Sequence, residues 1–259
     1  NLCIDNNSTY KLNINGEISI IGYEGNSTSI EIPNLIDGFK VVAIKDAFKS
    51  NNTIEEVILP DSLEVIDSYA FYQCTKLKKI TIQEGVKDIN EYAFYNCTSL
   101  QSIDLPSSLV NINNYAFYNC KSITSLVIPA SVVLIGEGAF ENCSKIGSIV
   151  FEGDSLETIG NSAFYNLSSL TTEVIIPDSV TYIGRSAFCY TKAEFVLSKD
   201  SNVTYIGSNA FVGCGKSSFY LSNNVNYVGS NFVGNPSGKV NIYVQANEKP
   251  KDWTNNWAN

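Results

Sequence analysis

The chain has 259 residues, 44% of them hydrophobic and 17% charged, with 26 acidic against 17 basic residues and a formal net charge of −9. That much apolar material excludes a disordered chain, and no apolar run reaches the roughly 18 to 20 residues that span a bilayer. The acidic balance, with Lys and Arg scattered, argues against nucleic acid as a partner and against anionic membrane surfaces. Histidine is absent, which removes the commonest general base and the commonest metal ligand. The sequence starts at Asn1 and contains no methionine, as fits a processed or excised chain.

Residues 10–20, YKLNINGEISI, alternate apolar and polar around Asn15-Gly16. That is a strong short-range hairpin signal, and it predicts an N-terminal cap over residues 1–27. A repeat then takes over. The Phe of an Ala-Phe pair falls at 48, 71, 94, 117, 140, 164, 188 and 211, with a weaker echo at Phe232, so the intervals are 23, 23, 23, 23, 24, 24, 23 and 21. Each unit reads L-x-x-I-x-I-P-x-S-L/V-x-x-I-x-x-x-A-F-x-x-C. Ile103 and Leu105 point one way while Ser102 and Asp104 point the other, the two-residue period of a short strand with one buried face. A proline (Pro33, Pro60, Pro106, Pro129, Pro177) ends the strand because it has no N–H for the ladder. A second extended piece follows with Leu109 and Ile112 inward, and the Ala-Phe segment turns the chain back.

One such unit cannot bury its apolar face alone, whereas stacked units share a continuous core. The expectation is a single β-rich solenoid domain over residues 1–259, with repeats in 28–246 and a tail, 247–259, that caps the array or begins a linker. Phe94, Phe117 and Phe140 should stack as an internal column. Cys74, Cys97, Cys120 and Cys143 each follow the Phe by three residues, and Leu167 takes that place in the next unit. Equivalent side chains in stacked coils run parallel and do not give the torsion a disulfide needs. These four read as buried free thiols; Cys3, Cys189 and Cys214 stay open. Tyr182, Tyr205 and Tyr227 should form a ladder on another face, and Tyr72, Tyr95, Tyr118 and Tyr165 follow the Ala-Phe pairs. Sequons at Asn6, Asn7, Asn26, Asn51, Asn96, Asn142, Asn166 and Asn202 are what an Asn-rich sequence produces by chance. Without His or a C-x-x-C, no zinc site, other metal site or cofactor is expected.

The unit LQSIDLPSSLVNINNYAFYNC resembles the leucine-rich repeats of the BspA-like type. So do the entry ISIIGYEG with IEIPNLIDGFKVVAIKDAF, and the KPKDWTNNW ending. Departures lie at Glu152, Ser198 and Ser222 in the proline place and at Gly213-Cys214-Gly215. The resemblance implies a right-handed coil with a parallel sheet. It also implies an extracellular or cell-surface protein of bacteria or parasitic protists, binding proteins in adhesion.

The outward residues of the first strands align into columns. One reads Glu31, Ile58, Thr81, Asp104, Val127, Val150, Ile175, Val196, Tyr220 and Tyr243, apolar or aromatic from Val127 onward. Six strands make a stripe roughly 24 Å long, and contiguous exposed apolar surface of that extent marks a contact site. A polar column, Ser102, Ser125, Ser148, Glu173, Glu194, Ser218 and Asn241, runs beside it. The candidate binding residues are therefore Val127, Val150, Ile175, Val196, Tyr220 and Tyr243 with Glu173 and Glu194. The expected partner is a protein, such as a host-cell or extracellular-matrix component. The competing reading is a structural spacer, since β-branched residues favour strands whatever their exposure. An enzyme working through paired carboxylates would have to use Glu55, Glu56, Asp88, Glu173 or Glu194, which sit at repeat-equivalent, solvent-facing places.

Overall fold

A unit with two inward-facing strands and one inward Phe closes its core only against the next unit, and the chain stacks accordingly. The computed structural model describes residues 2–3, 8–245 and 253–254. Every regular element among them is a strand, and the strands build a parallel β-solenoid of about ten turns.

The N-terminal hairpin forms as its sequence predicts. Ser8–Leu12 and Ile18–Tyr23 pair antiparallel, and Asn13 Oδ1 accepts from the backbone N–H groups of Asn15 and Glu17, both at 2.9 Å. Ile18 and Ile20 are fully buried. The hairpin does more than cap, because Ile18–Tyr23 pairs parallel with Phe39–Ile44 and so begins the main sheet. A second hairpin escapes the sequence reading. Leu35–Ile36 folds antiparallel onto Phe39–Ile44 through Asp37-Gly38, whose φ values of 51° and 83° suit the Asp-Gly turn.

The second strand of each coil is only two residues long, as in Asn111–Ile112 or Tyr182–Ile183. These short strands nevertheless make the one unbroken sheet, running from Phe39–Ile44 to Tyr227–Val228 without a missed rung. The first strands form three separate sheets instead. Leu2–Cys3 through Lys79–Thr81 is one, Ser125–Ile128 with Ser148–Phe151 is another, and Glu173–Ile175 through Val240–Val244 is the third. The expected strand around Ile103 is absent. Ile103 is buried and Leu105 half-buried, so the inward alternation holds. A cleft lined by Ser102, Asp104, Ser125 and Val127 separates this stretch from the next strand, and no ladder hydrogen bond bridges it.

The turn after each first strand shows why the repeat writes P-x-S-L. The Pro carbonyl accepts the N–H three residues on, at 3.1 Å for Leu63, Leu109, Val132 and Val180 alike. The serine hydroxyl then donates to the preceding coil: Ser62 to Val41, Ser108 to Val86, Ser131 to Leu109 and Ser179 to Leu156, at 2.6 to 2.8 Å. Where serine replaces proline the turn survives, with Val225 N–H donating to the Ser222 carbonyl at 3.1 Å.

The Phe column runs from Phe48 to Phe211 with centroids 5.0 to 5.5 Å apart and ring planes within 9° of parallel. Phe219 then bridges Phe211 to Phe232 by tilted and edge contacts. At the C-terminal end Trp253 folds back and is buried, its Nε1–H donating to the Val225 carbonyl at 3.1 Å. Trp257 lies outside the described residues.

Cys74, Cys97, Cys120, Cys143, Cys189 and Cys214 are free and buried. The first four donate in turn to the carbonyls of Phe48, Phe71, Phe94 and Phe117 at 3.0 to 3.2 Å. Burial pushes the Cys74 thiol up to about 12 and that of Cys189 up to about 11, and it drives Cys97 and Cys120 well above their ordinary value. A folded-state pKa above the unfolded value means that the unfolded chain releases these protons first. The associated stability is complete below the ordinary thiol value of 9.0 and drains as pH rises toward about 12. Ellman's reagent at mildly alkaline pH is therefore expected to leave these six thiols unlabelled in the folded chain and to label them all in urea. Prompt labelling of the folded protein beyond Cys3, whose side chain is outside the described set, would contradict this burial.

Candidate binding surface

The exposed first-strand face is set by alternation. Val127 is flanked by buried Leu126 and Ile128, Ile175 by Val174 and Ile176, and Tyr220 by Phe219 and Leu221. With both neighbours fixed inward, the residue between must face solvent. The exposures are 44% for Val127, 51% for Val150, 60% for Ile175, 38% for Tyr220 and 47% for Tyr243. Val196 differs, being half-buried.

The structure brings these residues together in three steps rather than one stripe. Val127 is in register with Val150, Ile175 with Val196, and Tyr220 with Tyr243. The rings of the last pair stack at 4.4 Å with planes 13° apart. Between Val150 and Ile175 no ladder forms, and a cleft of about 160 Å³ opens, lined by both residues with Ile149, Phe151 and Glu173. The sequence alignment of Val196 with Tyr220 is wrong by two residues, because Val196 pairs with Ser218 and Leu197 with Phe219. The return from the Phe varies in length: Val127 and Val150 follow theirs by ten residues, Val196 follows Phe188 by eight, and its partner Ser218 follows Phe211 by seven.

The polar margin is acidic on these same rungs. Glu173 and Glu194 are in register on neighbouring strands and share a cleft of about 140 Å³ with Val196, Lys216, Ser218 and Asn241. Asp104 and Glu152 line the larger cleft of about 250 Å³ beside Val127. None of these four carboxylates belongs to an ion pair among the described residues. The other acids weighed for catalysis are dispersed: Glu55 pairs with Lys78 at 2.8 Å, and Asp88 accepts from Asn111 at 2.7 Å. No group of His, Cys, Asp and Glu able to hold a metal occurs among the described residues.

Tyrosine builds three ladders. Tyr182, Tyr205 and Tyr227 stack at 4.6 Å as expected, and Tyr72, Tyr95 and Tyr118 at 5.1 and 4.7 Å. A third, Tyr69, Tyr92 and Tyr115, runs beside the second at 5.1 and 5.3 Å. Its signal was in the sequence, as the Tyr of each YAF. The Lys49 ammonium closes its end, 4.7 Å from the Tyr69 centroid. Tyr165 leaves the second ladder and meets Tyr190 edge-on. Within a ladder each inner ring spends both faces on its neighbours, so a sugar finds edges rather than platforms. These columns stabilise the coil stack.

The sequons also acquire a local explanation. Asn96, Asn142 and Asn166 have φ of 59°, 61° and 58°, the left-handed region that Asn tolerates best after Gly. Their amides form a ladder, with Asn166 Nδ2 donating to Asn142 Oδ1 at 2.8 Å and Asn119 Nδ2 to Asn96 Oδ1 at 2.5 Å. The turn selects asparagine at these places.

Comparison with known proteins agrees with this geometry. The family model described as BspA type leucine rich repeat region matches residues 43–171 and 110–238, with six copies. A search of curated proteins finds no match. Among solved structures, a leucine-rich repeat protein of T. pallidum is 31% identical with a TM-score of 0.67, over 71% of this chain and 86% of that one. A leucine-rich cell surface protein of Faecalibacterium prausnitzii is 24% identical, TM-score 0.69, over 96% and 76% of the two chains. A leucine-rich repeat protein of Bacteroides ovatus is 22% identical, TM-score 0.66, over 96% and 80%; these last two establish likeness of fold. A 23-residue beat of strand, proline turn, short strand and Ala-Phe turn, matched from residue 43 to residue 238, places this chain in the BspA-type leucine-rich repeat family.

Proposed function

We propose that this chain is a noncatalytic recognition scaffold, secreted or displayed at a cell surface, that binds a protein partner in adhesion through its first-strand face. The observation that carries the reading is the set of exposed Val127, Val150, Ile175, Tyr220 and Tyr243 along the first-strand face. Apolar groups of this size held open to water cost solvation that a partner would recover. An apolar centre with tyrosines and a polar margin is how protein interfaces are built. The likeness to a structure described as a leucine-rich cell surface protein supports the location.

Val150→Lys combined with Ile175→Lys tests the site. Both positions are exposed, so the variant is expected to unfold within about 0.5 kcal/mol of the parent. Its binding to immobilised extracellular-matrix proteins or intact host cells should fall by about a hundredfold, as for loss of two interface anchors. A folded double variant that adheres like the parent removes the site and leaves the array as a spacer.

A further inference from the structure

The first-strand face changes its charge pattern along the solenoid. Near the N-terminus opposite signs lie side by side: Glu56 is in register with Lys79, and Glu55 holds Lys78 at 2.8 Å. The next rungs are neutral, with Ser125 opposite Ser148. Then Glu173 sits directly opposite Glu194, one strand spacing of about 4.8 Å away. Like charges so placed destabilise a sheet. In the earlier paired rungs the one glutamate at the equivalent place, Glu56, has Ser29 and Lys79 as its neighbours and no second carboxylate. Stability therefore does not explain the pair.

These acids lie where the apolar residues are. Asp104 and Glu152 share a cleft with Val127, Glu173 one with Val150 and Ile175, and Glu194 one with Val196. Lys216 is the sole cation lining any of the three. Two of the clefts occur where the first-strand ladder breaks, beside Val127 and between Val150 and Ile175, so side chains of a partner can enter between rungs there. The third lies over the paired Glu173 and Glu194 rungs.

Resting on the protein-binding reading above, we infer that the partner presents an extended segment in which apolar side chains alternate with Lys or Arg. Its apolar groups cover Val127, Val150 and Ile175, and its cations enter the clefts toward Glu173, Glu194, Asp104 and Glu152. Binding relieves the Glu173–Glu194 repulsion, and the chain's net charge of −9 steers a basic segment to the surface.

The probes are three labelled octapeptides, alternating Val-Lys, Val-Glu and Ser-Lys, titrated by fluorescence anisotropy at low and high salt. The Val-Lys peptide should bind the full chain, lose affinity as salt rises, and outbind both others. Glu173→Gln with Glu194→Gln should bind it about fivefold more weakly with less salt dependence, while melting no lower than the parent. Val150→Ser with Ile175→Ser should also bind it more weakly. Equal binding of Val-Lys and Val-Glu, or an unchanged carboxamide variant, overturns the inference yet leaves the apolar site standing if the serine variant weakens both. Unchanged binding by the serine variant overturns the apolar reading and this inference together. No measurable Val-Lys binding overturns the inference alone, since the matrix-binding assay reads the site independently.

Discussion

Phe117→Ala should lower the unfolding free energy by about 3–5 kcal/mol, the range for deleting a buried aromatic ring. Phe117 has no solvent exposure, and its ring lies 5.0 Å from Phe94 and 5.1 Å from Phe140, within 4° of both planes. The substitution removes two parallel-offset contacts, each worth about 0.5–1.5 kcal/mol beyond area burial. It also leaves a void that the coils cannot close. Phe94 N–H donates to the Ala116 carbonyl at 2.7 Å and Phe117 N–H to the Ala139 carbonyl at 2.8 Å, so backbone hydrogen bonds on both sides of the gap fix the spacing. Because each coil touches only its neighbours, a weakened central coil separates the array into two blocks. Urea denaturation followed by circular dichroism should show an earlier and broader transition than the parent. Val150→Ser, on the exposed face, should move the midpoint little. A loss below about 1 kcal/mol for Phe117→Ala would mean that the column is incidental to the fold.

The difference between those two substitutions shows what the sequence could reveal. The inward residues of a solenoid recur once per coil because each must meet its own equivalent, so the Phe column, the Cys column and the tyrosines at 182, 205 and 227 were readable from spacing alone. The outward exposure of Val127, Val150 and Ile175 was readable too, from strand alternation. Register between coils was not. It varies with the length of the return after each Ala-Phe pair. The seven-residue path from Phe211 to Ser218 carries no mark in the repeat pattern that would show Ser218, rather than Tyr220, as the partner of Val196. Ladder bonding near Ile103 was also hidden, since extended backbone and a paired strand carry the same alternating pattern. Asp37-Gly38 was legible but stood inside a stretch already assigned to the repeat. The breaks that divide the candidate site into three steps therefore came from turn geometry, while its apolar character came from the sequence.

Gly207→Ala should cost about 1–3 kcal/mol, the usual range for overpacking a filled interior. Replacing glycine elsewhere often gains about 0.4–1 kcal/mol by restricting the unfolded chain, so the sign of the change is itself informative. Backbone conformation is not the reason, because Gly207 has no positive φ. Close approach is. A Cβ at Gly207 would sit 2.3 Å from the Arg185 nitrogen and 2.6 Å from the Gly184 carbonyl carbon. Gly184 in turn leaves only 2.4 Å to the Asn161 nitrogen, and Gly160 only 2.6 Å to the Gly136 carbonyl carbon. Backbone rests on backbone through this run of coils, so a shift at one rung must pass to the next. Earlier coils carry Asn90 and Asn113 at the same place, joined by an amide hydrogen bond of 2.9 Å, which shows that the glycines serve tighter contact rather than a shared turn. Gly38→Ala is the contrasting variant: its φ is +83° with nothing within 4 Å, so its cost is conformational alone, about 1 kcal/mol. Thermal unfolding of the two variants separates the causes, since tolerance of alanine at 207 but not at 38 would mean that the coils can part without loss and that their stacking is looser than the glycine run requires.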